Sequence, residues 1–296
     1  MKRLHPALLL LALVLVFFAG DRLIALGLKK LFFGSQFRYA CLYRGGMHND
    51  IVILGNSRGK AYYVPYMEEK LGVKCFNLAY DAMDTSMSAM LFTDYLQHNA
   101  PPKLLVVELV GMQVDSEQHE GSIKVFFGVS ERFRRHIRAA TPVSGALCDA
   151  VHVYRYNSEF FLRALSTRQS DQGWVNTAVI TQAIVDEMKT GLTMQDNPPP
   201  QANYAYLKEI LDLAEQNHIT VRLVLNPFLP EFVGNATLLP YRQLIYEHTG
   251  LDVPVWDYRL ALDDPALFAD TRHINVAGSR ALIDKQIADG FYNFEN

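Results

Sequence analysis

Five short apolar runs set the strongest limit on how this chain folds: "DIVILG", "VKCFNLAY", "PPKLLVVELVG", "ITVRLVLNPF" and "VPVWDY". Each has the length and β-branched content of a strand, and the first, with four apolar residues in a row, reads as buried on both faces. Segments with helical spacing lie between them. "VPYMEEKLG" closes on Gly72, and "DTSMSAMLFTDYLQHN" opens with Asp84 as N-cap and stops before a proline pair. "YAYLKEILDLAEQNH", a stretch near "YRQLIYEHTG" and a last one after "NVAGS" read the same way. Strands that alternate with helices pair in parallel and are covered on both faces, which predicts an α/β three-layer sandwich with a central parallel sheet.

From Met112 to Pro200 the strand signal is lost. "ERFRRHIRAA", "SGALCDAVHVYRYNSEFFLRAL" and "NTAVITQAIVDEMKTG" read as helices, so the α/β domain is expected to span 45–296 with a helical insertion at about 112–200. No internal repeat or low-complexity tract interrupts this order.

The N-terminus is of another kind. Lys2 and Arg3 precede an unbroken apolar run from Ala7 to Ala19. That run is short for a span, which takes about 20 residues to cross about 30 Å of hydrocarbon. It has the length of a signal-peptide core, yet "FFAGD" offers no small-residue cleavage pattern. A span continuing through "DRLIALGL", with Asp21 and Arg22 near the interface, is the expectation: an uncleaved anchor over residues 1–30. The protein is then single-pass, in contact with the lipid bilayer, with its globular part outside the cytoplasm.

Composition excludes several functions. A net charge of −3 over 296 residues provides no broad basic surface for nucleic acid. Arg132 to Arg138, "RFRRHIR", is the densest basic run; it reads as a solvated helix face, or else as a contact for anionic headgroups or an acidic glycan. Cys41, Cys75 and Cys148 are too few for a disulfide framework, though a Cys41–Cys148 pair stays open, and Cys75 reads as a buried apolar residue. No metal-ligand spacing is present, so neither metal nor cofactor is expected. Asn235-Ala236-Thr237 matches a glycosylation sequon of no weight outside a eukaryotic secretory route.

Chemistry concentrates at two places. The first apolar run ends in Gly55-Asn56-Ser57-Arg58, a serine at the tip of a buried strand. Near the other end, "FADTRHINVAGSRALID" places Asp270 three residues before His273 and just ahead of a helix. A serine nucleophile needs a base to take its proton and a carboxylate to fix the tautomer of that base. A D-x-x-H turn supplies both from one piece of backbone, and ligands in open α/β sheets bind at the carboxyl edge, where Ser57 leaves its strand. The bland readings are a serine that caps "GKAYYVPYM" and a histidine packed at a helix entry. "GNSRGK" lacks the spacing of a phosphate-cradling loop, so a nucleotide-binding domain is a poor fit.

These two blocks resemble the SGNH/GDSL hydrolase superfamily, and more narrowly its membrane-anchored members that accompany bacterial polysaccharide O-acetylation. The resemblance covers roughly 50–110 and 204–290. It implies Ser57 as nucleophile, His273 as base and Asp270 as orienter, a glycan substrate, and a membrane acyltransferase as a partner. The family also places a glycine in its second block and an asparagine in its third as oxyanion donors. Here Asp81 and Ala82 stand at the glycine, and "VVELVGMQVD" has no Gly-x-Asn. Ala82 through its backbone N–H, Asn226 and Asn56 are the candidate donors. Arg58 is a candidate for a substrate carboxylate or sugar hydroxyl, or for an ion pair with Asp81 or Asp84. Phe126, Phe127, Tyr154, Tyr156 and Trp174 are candidates for sugar-stacking walls or ordinary core. The resemblance thus implies serine-dependent acyl transfer, as an O-acetyltransferase or acetylesterase on an extracytoplasmic polysaccharide. The alternative is a catalytically silent SGNH-fold protein that binds glycan or scaffolds a membrane assembly.

Overall fold

Strands β1 (Ile51–Leu54), β2 (Cys75–Asn77), β3 (Leu104–Glu108), β4 (Thr220–Leu225) and β5 (Val255–Asp257) form one sheet in the computed structural model, which describes residues 5–114, 119–189 and 194–294. The order is β2-β1-β3-β4-β5 and every pairing is parallel, with Val52 opposite Phe76 and Leu105, and Val107 opposite Leu223. Each of the five apolar runs contributes one strand. β1 and β3 are buried at every position, as strands in the middle of a parallel sheet covered on both faces must be. The chain runs from β1 outward to β2 and then returns to the other side of β1 as β3. The sequence direction therefore reverses between β1 and β3, and the crevice at their carboxyl ends is where open α/β sheets bind ligands.

The helices, in chain order, are α1 (Pro6–Gly34), α2 (Arg38–Arg44), α3 (Ser57–Lys60), α4 (Val64–Leu71), α5 (Thr85–His98), α6 (Glu131–Ala140), α7 (Pro142–Ala150), α8 (Glu159–Ser166), α9 (Gln182–Met188), α10 (Gln201–Gln216), α11 (Pro230–Val233), α12 (Tyr241–Thr249) and α13 (Val276–Ala288). Their ends follow local chemistry. Asp84 caps α5 by accepting from the Met87 N–H, and Gly72 and Gly250 close α4 and α12 in the left-handed conformation. Gly278, in the first turn of α13, is required by close approach: a Cβ there would lie 2.1 Å from the Leu267 carbonyl oxygen. Ile51, Ile53, Leu104, Val106 and Val224 of the sheet pack with Phe268, Leu282, Ile283 and Phe291 in one continuous core.

The chain divides into two compact units. The sheet unit comprises residues 45–118 and 171–296, and the helical unit residues 1–44 and 119–170. Residues from Asp171 onward therefore fold with the sheet, while α6, α7 and α8 fold with the N-terminal helices. No strand occurs among the described residues of 112–200. In the helical unit, Tyr39, Phe126, Phe133 and Phe160 are fully buried, so these aromatics form core. Phe127 is buried as well, and Tyr156 packs edge-on against Phe161. α1 is long and apolar enough to cross a membrane. Lys2 and Arg3 lie outside the described residues. All three cysteines are free thiols, so Cys41 and Cys148 are not joined. Burial pushes the Cys75 thiol up to about 12, as suits an inert apolar residue.

Candidate active site

The turn after β1 is built to leave its serine free. Gly55 sits at φ +143°, a conformation closed to other residues, and a Cβ on it would lie 2.8 Å from the Cβ of Glu108. Asn56 then caps α3, its Oδ1 accepting from the Arg58 N–H at 2.9 Å. Because Asn56 takes the cap, Ser57 is the first helical residue and its hydroxyl has no structural duty. It lies 2.8 Å from His273 Nε2.

His273 comes from a tight loop in which Phe268 and Ile274 pair and the Ala269 N–H donates to the His273 carbonyl at 2.8 Å. The Asp270 carboxylate organises that loop. It accepts from the Arg272 and His273 backbone N–H groups at 2.8 and 3.0 Å, and faces His273 Nδ1 at 2.9 and 3.0 Å. Burial pushes the Asp270 carboxyl up, but the His273 ring and the two N–H groups outweigh it and hold its pKa below the usual aspartate value. A carboxylate at Nδ1 keeps the ring proton there, which leaves Nε2 as acceptor toward the serine hydroxyl. Asn275 next caps α13, accepting from the Ala277 and Gly278 N–H groups.

These side chains open into a cavity of about 370 Å³ lined by Ser57, Asp81, Ala82, Trp174, Asn176 and His273, among others. Ala82 holds φ +52°, the left-handed region that favours glycine, at the position where the family resemblance expects one. The backbone N–H groups of Ser57 and Ala82 make no hydrogen bond with any described residue, so both are available donors. Asp81 does not stand alone: Lys60 Nζ lies 2.5 Å from its carboxylate and 4.0 Å from the Trp174 ring centroid. The Asp81 carboxylate at the cavity wall is thus answered by an ammonium.

Two of the candidate residues are turned inward. Arg58 is 4% exposed and is not paired with Asp81 or Asp84. Its Nε donates to Glu108 at 3.3 Å, its other nitrogens donate to the carbonyls of Asn226, Pro227 and Arg272, and its guanidinium lies 3.5 Å from the Phe228 ring centroid. Four of its five N–H donors are committed to these partners inside the protein, which turns the group away from a substrate carboxylate. Asn226 is also committed: Oδ1 accepts from the Tyr62 hydroxyl at 3.0 Å and Nδ2 donates to the Arg58 carbonyl at 3.0 Å. Asn56, as described, is the helix cap.

The segment 171–180, which holds the wall candidate Trp174, is tethered in a way that the sequence did not disclose. Gln172 pairs with the β2 edge like an added strand residue, its Oε1 accepting from the Asn77 N–H at 2.6 Å and its Nε2 donating to the Asn77 carbonyl at 3.2 Å. Farther on, the Asn176 carbonyl accepts from the Val276 N–H at 2.9 Å, and the Ile180 N–H donates to the Phe268 carbonyl at 2.9 Å. The strap so tethered presents Trp174, Val175 and Asn176 to the cavity, with Trp174 56% exposed. A larger cleft of about 630 Å³ lies beside β5 and α12, but its Arg242 and Arg259 are held by Asp252 and by Asp196 and Asp257, and it contains no nucleophile–base pair. No cluster of metal-ligating side chains occurs among the described residues.

No family model matches the chain, and no curated protein does. Solved structures with a similar course include a GDSL-like lipase from Bacteroides thetaiotaomicron, at 11% identity and TM-score 0.33, covering 81% of this chain and 88% of that one. A protein assigned as an acylhydrolase from Bacteroides fragilis shares 14% identity at TM-score 0.41, over 86% and 96% of the two chains. A protein assigned as a platelet activating factor from Streptococcus pneumonia shares 12% at TM-score 0.41, over 97% and 100%. These likenesses are of fold and they are loose.

Proposed function

We propose that this protein is an SGNH-type serine acyl-transfer enzyme, held at a membrane by α1 and acting as an O-acetyltransferase or acetylesterase on an extracytoplasmic polysaccharide. The observation that carries the proposal is the single line of contacts from Ser57 Oγ to His273 Nε2 and from His273 Nδ1 to Asp270, at 2.8 and 2.9 Å. Both are within the reach that proton transfer in such a relay requires.

In the proposed cycle Ser57 Oγ attacks the acyl carbonyl carbon while its proton moves to Nε2. The oxyanion takes hydrogen bonds from the Ser57 and Ala82 N–H groups. As the tetrahedral intermediate collapses, the bond to the leaving oxygen breaks and that oxygen takes the proton from Nε2, so the acyl group stays on Ser57. A sugar hydroxyl, or water, then gives its proton to Nε2 and attacks the acyl-serine, and Ser57 leaves with the proton restored. The cavity of about 370 Å³ has room for a small acyl group beside a sugar ring, and the exposed indole of Trp174 is a surface on which such a ring stacks. The reading as a silent glycan-binding module draws on Asn226, which is buried with its Nδ2 on the Arg58 carbonyl and does not line the cavity as a third oxyanion donor.

A fluorophosphonate probe separates the two. The enzyme reading expects covalent labelling of the folded wild type that disappears in Ser57→Ala, with loss of acetyl-ester turnover in the same variant. Folded wild-type protein that takes up no label would mean the silent module.

A further inference from the structure

The exposed apolar surface of the helical unit is more than a membrane-crossing helix requires. α1 is one continuous helix, but its character changes at Gly20. Before that point its side chains are exposed, and from Asp21 onward one face is buried, through Asp21, Ala25 and Phe32. The uniformly exposed part, Pro6 to Ala19, is about 14 residues, or about 21 Å of helix. A hydrocarbon layer of about 30 Å is deeper than that by roughly six residues.

The deficit falls on residues that are fixed to the rest of the unit. Asp21 accepts hydrogen bonds from the backbone N–H groups of His152 and Val153 at 2.9 Å each, and Arg22 donates to the Ala150 carbonyl at 3.2 Å. If α1 is lowered until residues 21–25 lie in hydrocarbon, the end of α7 and the turn after it descend with it. The surface there suits that depth. Leu23 and Ile24 are 70% and 57% exposed, and Val143 and Leu147 on α7 are 75% and 40% exposed. Asp21, the acidic group at this level, has its oxygens satisfied by backbone N–H groups and Arg22, as a polar group beside lipid must. α6 packs on α7 and is rich in arginine, with Arg138 bridging to Asp149 of α7, which provides cationic groups next to the apolar patch.

We infer that the helical unit is seated in the bilayer interface, with Val143 and Leu147 of α7 and Leu23 and Ile24 of α1 in contact with acyl chains. The inference rests on the membrane-anchor reading of α1 and adds a second contact: the unit is partly embedded rather than tethered above the headgroups. Lipid is the occupant because the same helix that enters the bilayer carries part of the patch, and its uniformly exposed part is shorter than the hydrocarbon layer.

The test uses the full chain in nanodiscs of mixed phosphatidylcholine and phosphatidylglycerol. Single cysteines replace Leu13, Val143, Leu147 or Tyr246 in a Cys41→Ser background, where Cys75 and Cys148 are buried, and each is labelled with an environment-sensitive fluorophore. Labels at positions 13, 143 and 147 are expected to be quenched severalfold more by lipid-borne nitroxide than by aqueous iodide. The label at position 246, on the sheet unit, is expected to show the reverse. Labels at 143 and 147 that behave like the one at 246, while the one at 13 is quenched from the lipid, overturn the inference and leave the anchor standing. An iodide-quenched label at 13 removes the anchor reading, and the inference with it. Protection at 143 and 147 that appears only with several chains per disc assigns the patch to a second copy and also overturns the inference.

Discussion

Arg58 Nε lies 3.3 Å from Glu108 Oε1, and the two side chains are 4% and 0% exposed. The pair stands directly behind the proposed nucleophile, since Arg58 follows Ser57. The guanidinium reaches the end of β3 through Glu108, the residues after β4 through the Asn226 and Pro227 carbonyls, and the histidine loop through the Arg272 carbonyl. One planar group with five donors thus locks together three segments whose alignment sets the distance from Ser57 to His273. Burial pushes the Glu108 carboxyl up, and the Arg58 charge beside it opposes that shift.

Removing this clamp is expected to cost stability. In Arg58→Ala, Glu108 is left in the interior without its counter-charge, a change worth about 3–5 kcal/mol. Urea denaturation should show that loss, and labelling of Ser57 should weaken along with it. Arg58→Lys should recover only part, because an ammonium cannot serve the same fork of acceptors. An Arg58→Ala protein as stable as wild type would contradict the clamp.

Asp270→Asn tests the orienter. Replacing the carboxylate removes the reason for the proton to sit on Nδ1, and kcat should fall by roughly 10³–10⁴-fold with little change in KM. The variant also has a pH signature. The folded-state pKa of Asp270 lies below its ordinary value, so its contribution to stability is complete above about pH 4 and is lost as pH falls through the folded value. Melting temperatures of wild type and Asp270→Asn should therefore differ most at neutral pH and converge in acid. A gap that widened in acid would have the wrong sign.

Ala82 holds a left-handed backbone at φ +52°, which costs a residue with a Cβ about 1 kcal/mol relative to glycine. Ala82→Gly should raise the free energy of unfolding by about that amount and keep labelling at Ser57. Ala82→Val should lower stability, since a β-branched residue tolerates this conformation least. Chemical denaturation of the two variants, compared with wild type, decides the matter.

Trp174→Ala should separate the two half-reactions. Acylation of Ser57 by a small activated acetyl ester should persist, because the relay is untouched. Transfer to an oligosaccharide acceptor should suffer through KM for that acceptor, which loses its stacking surface. Equal losses in both steps, read from burst and steady-state kinetics, would count against an acceptor wall.

Much of the sheet unit was legible in the sequence because its signals are local. Apolar runs of strand length, Gly72 and Gly250 at helix ends and Asp84 at a helix start each fix their own neighbourhood. The contact between Asp270 and His273 was legible for the same reason, since three residues of turn bring them together. That Ser57 meets His273 across 216 positions followed only from the carboxyl-edge rule for α/β sheets and from family resemblance, because no local pattern encodes a distance between loops. The inward contacts of Arg58 and Asn226 are not legible for a related cause. A charged or amide side chain after a strand looks the same in sequence whether it points to solvent or to carbonyls within. The Gln172 pairing with Asn77 left no trace, as a single glutamine in "DQGWVN" has no periodicity to announce it.

The strap over the cavity is fastened by its backbone at Asn176 and Ile180 and by one side chain, Gln172. Trp174 carries none of those fastenings and is 56% exposed. Its side chain is consequently open to replacement without unthreading the wall. Under the proposed acceptor role, a lineage could exchange one preference for another at position 174 by single steps, while Gln172 and the relay behind it stayed fixed.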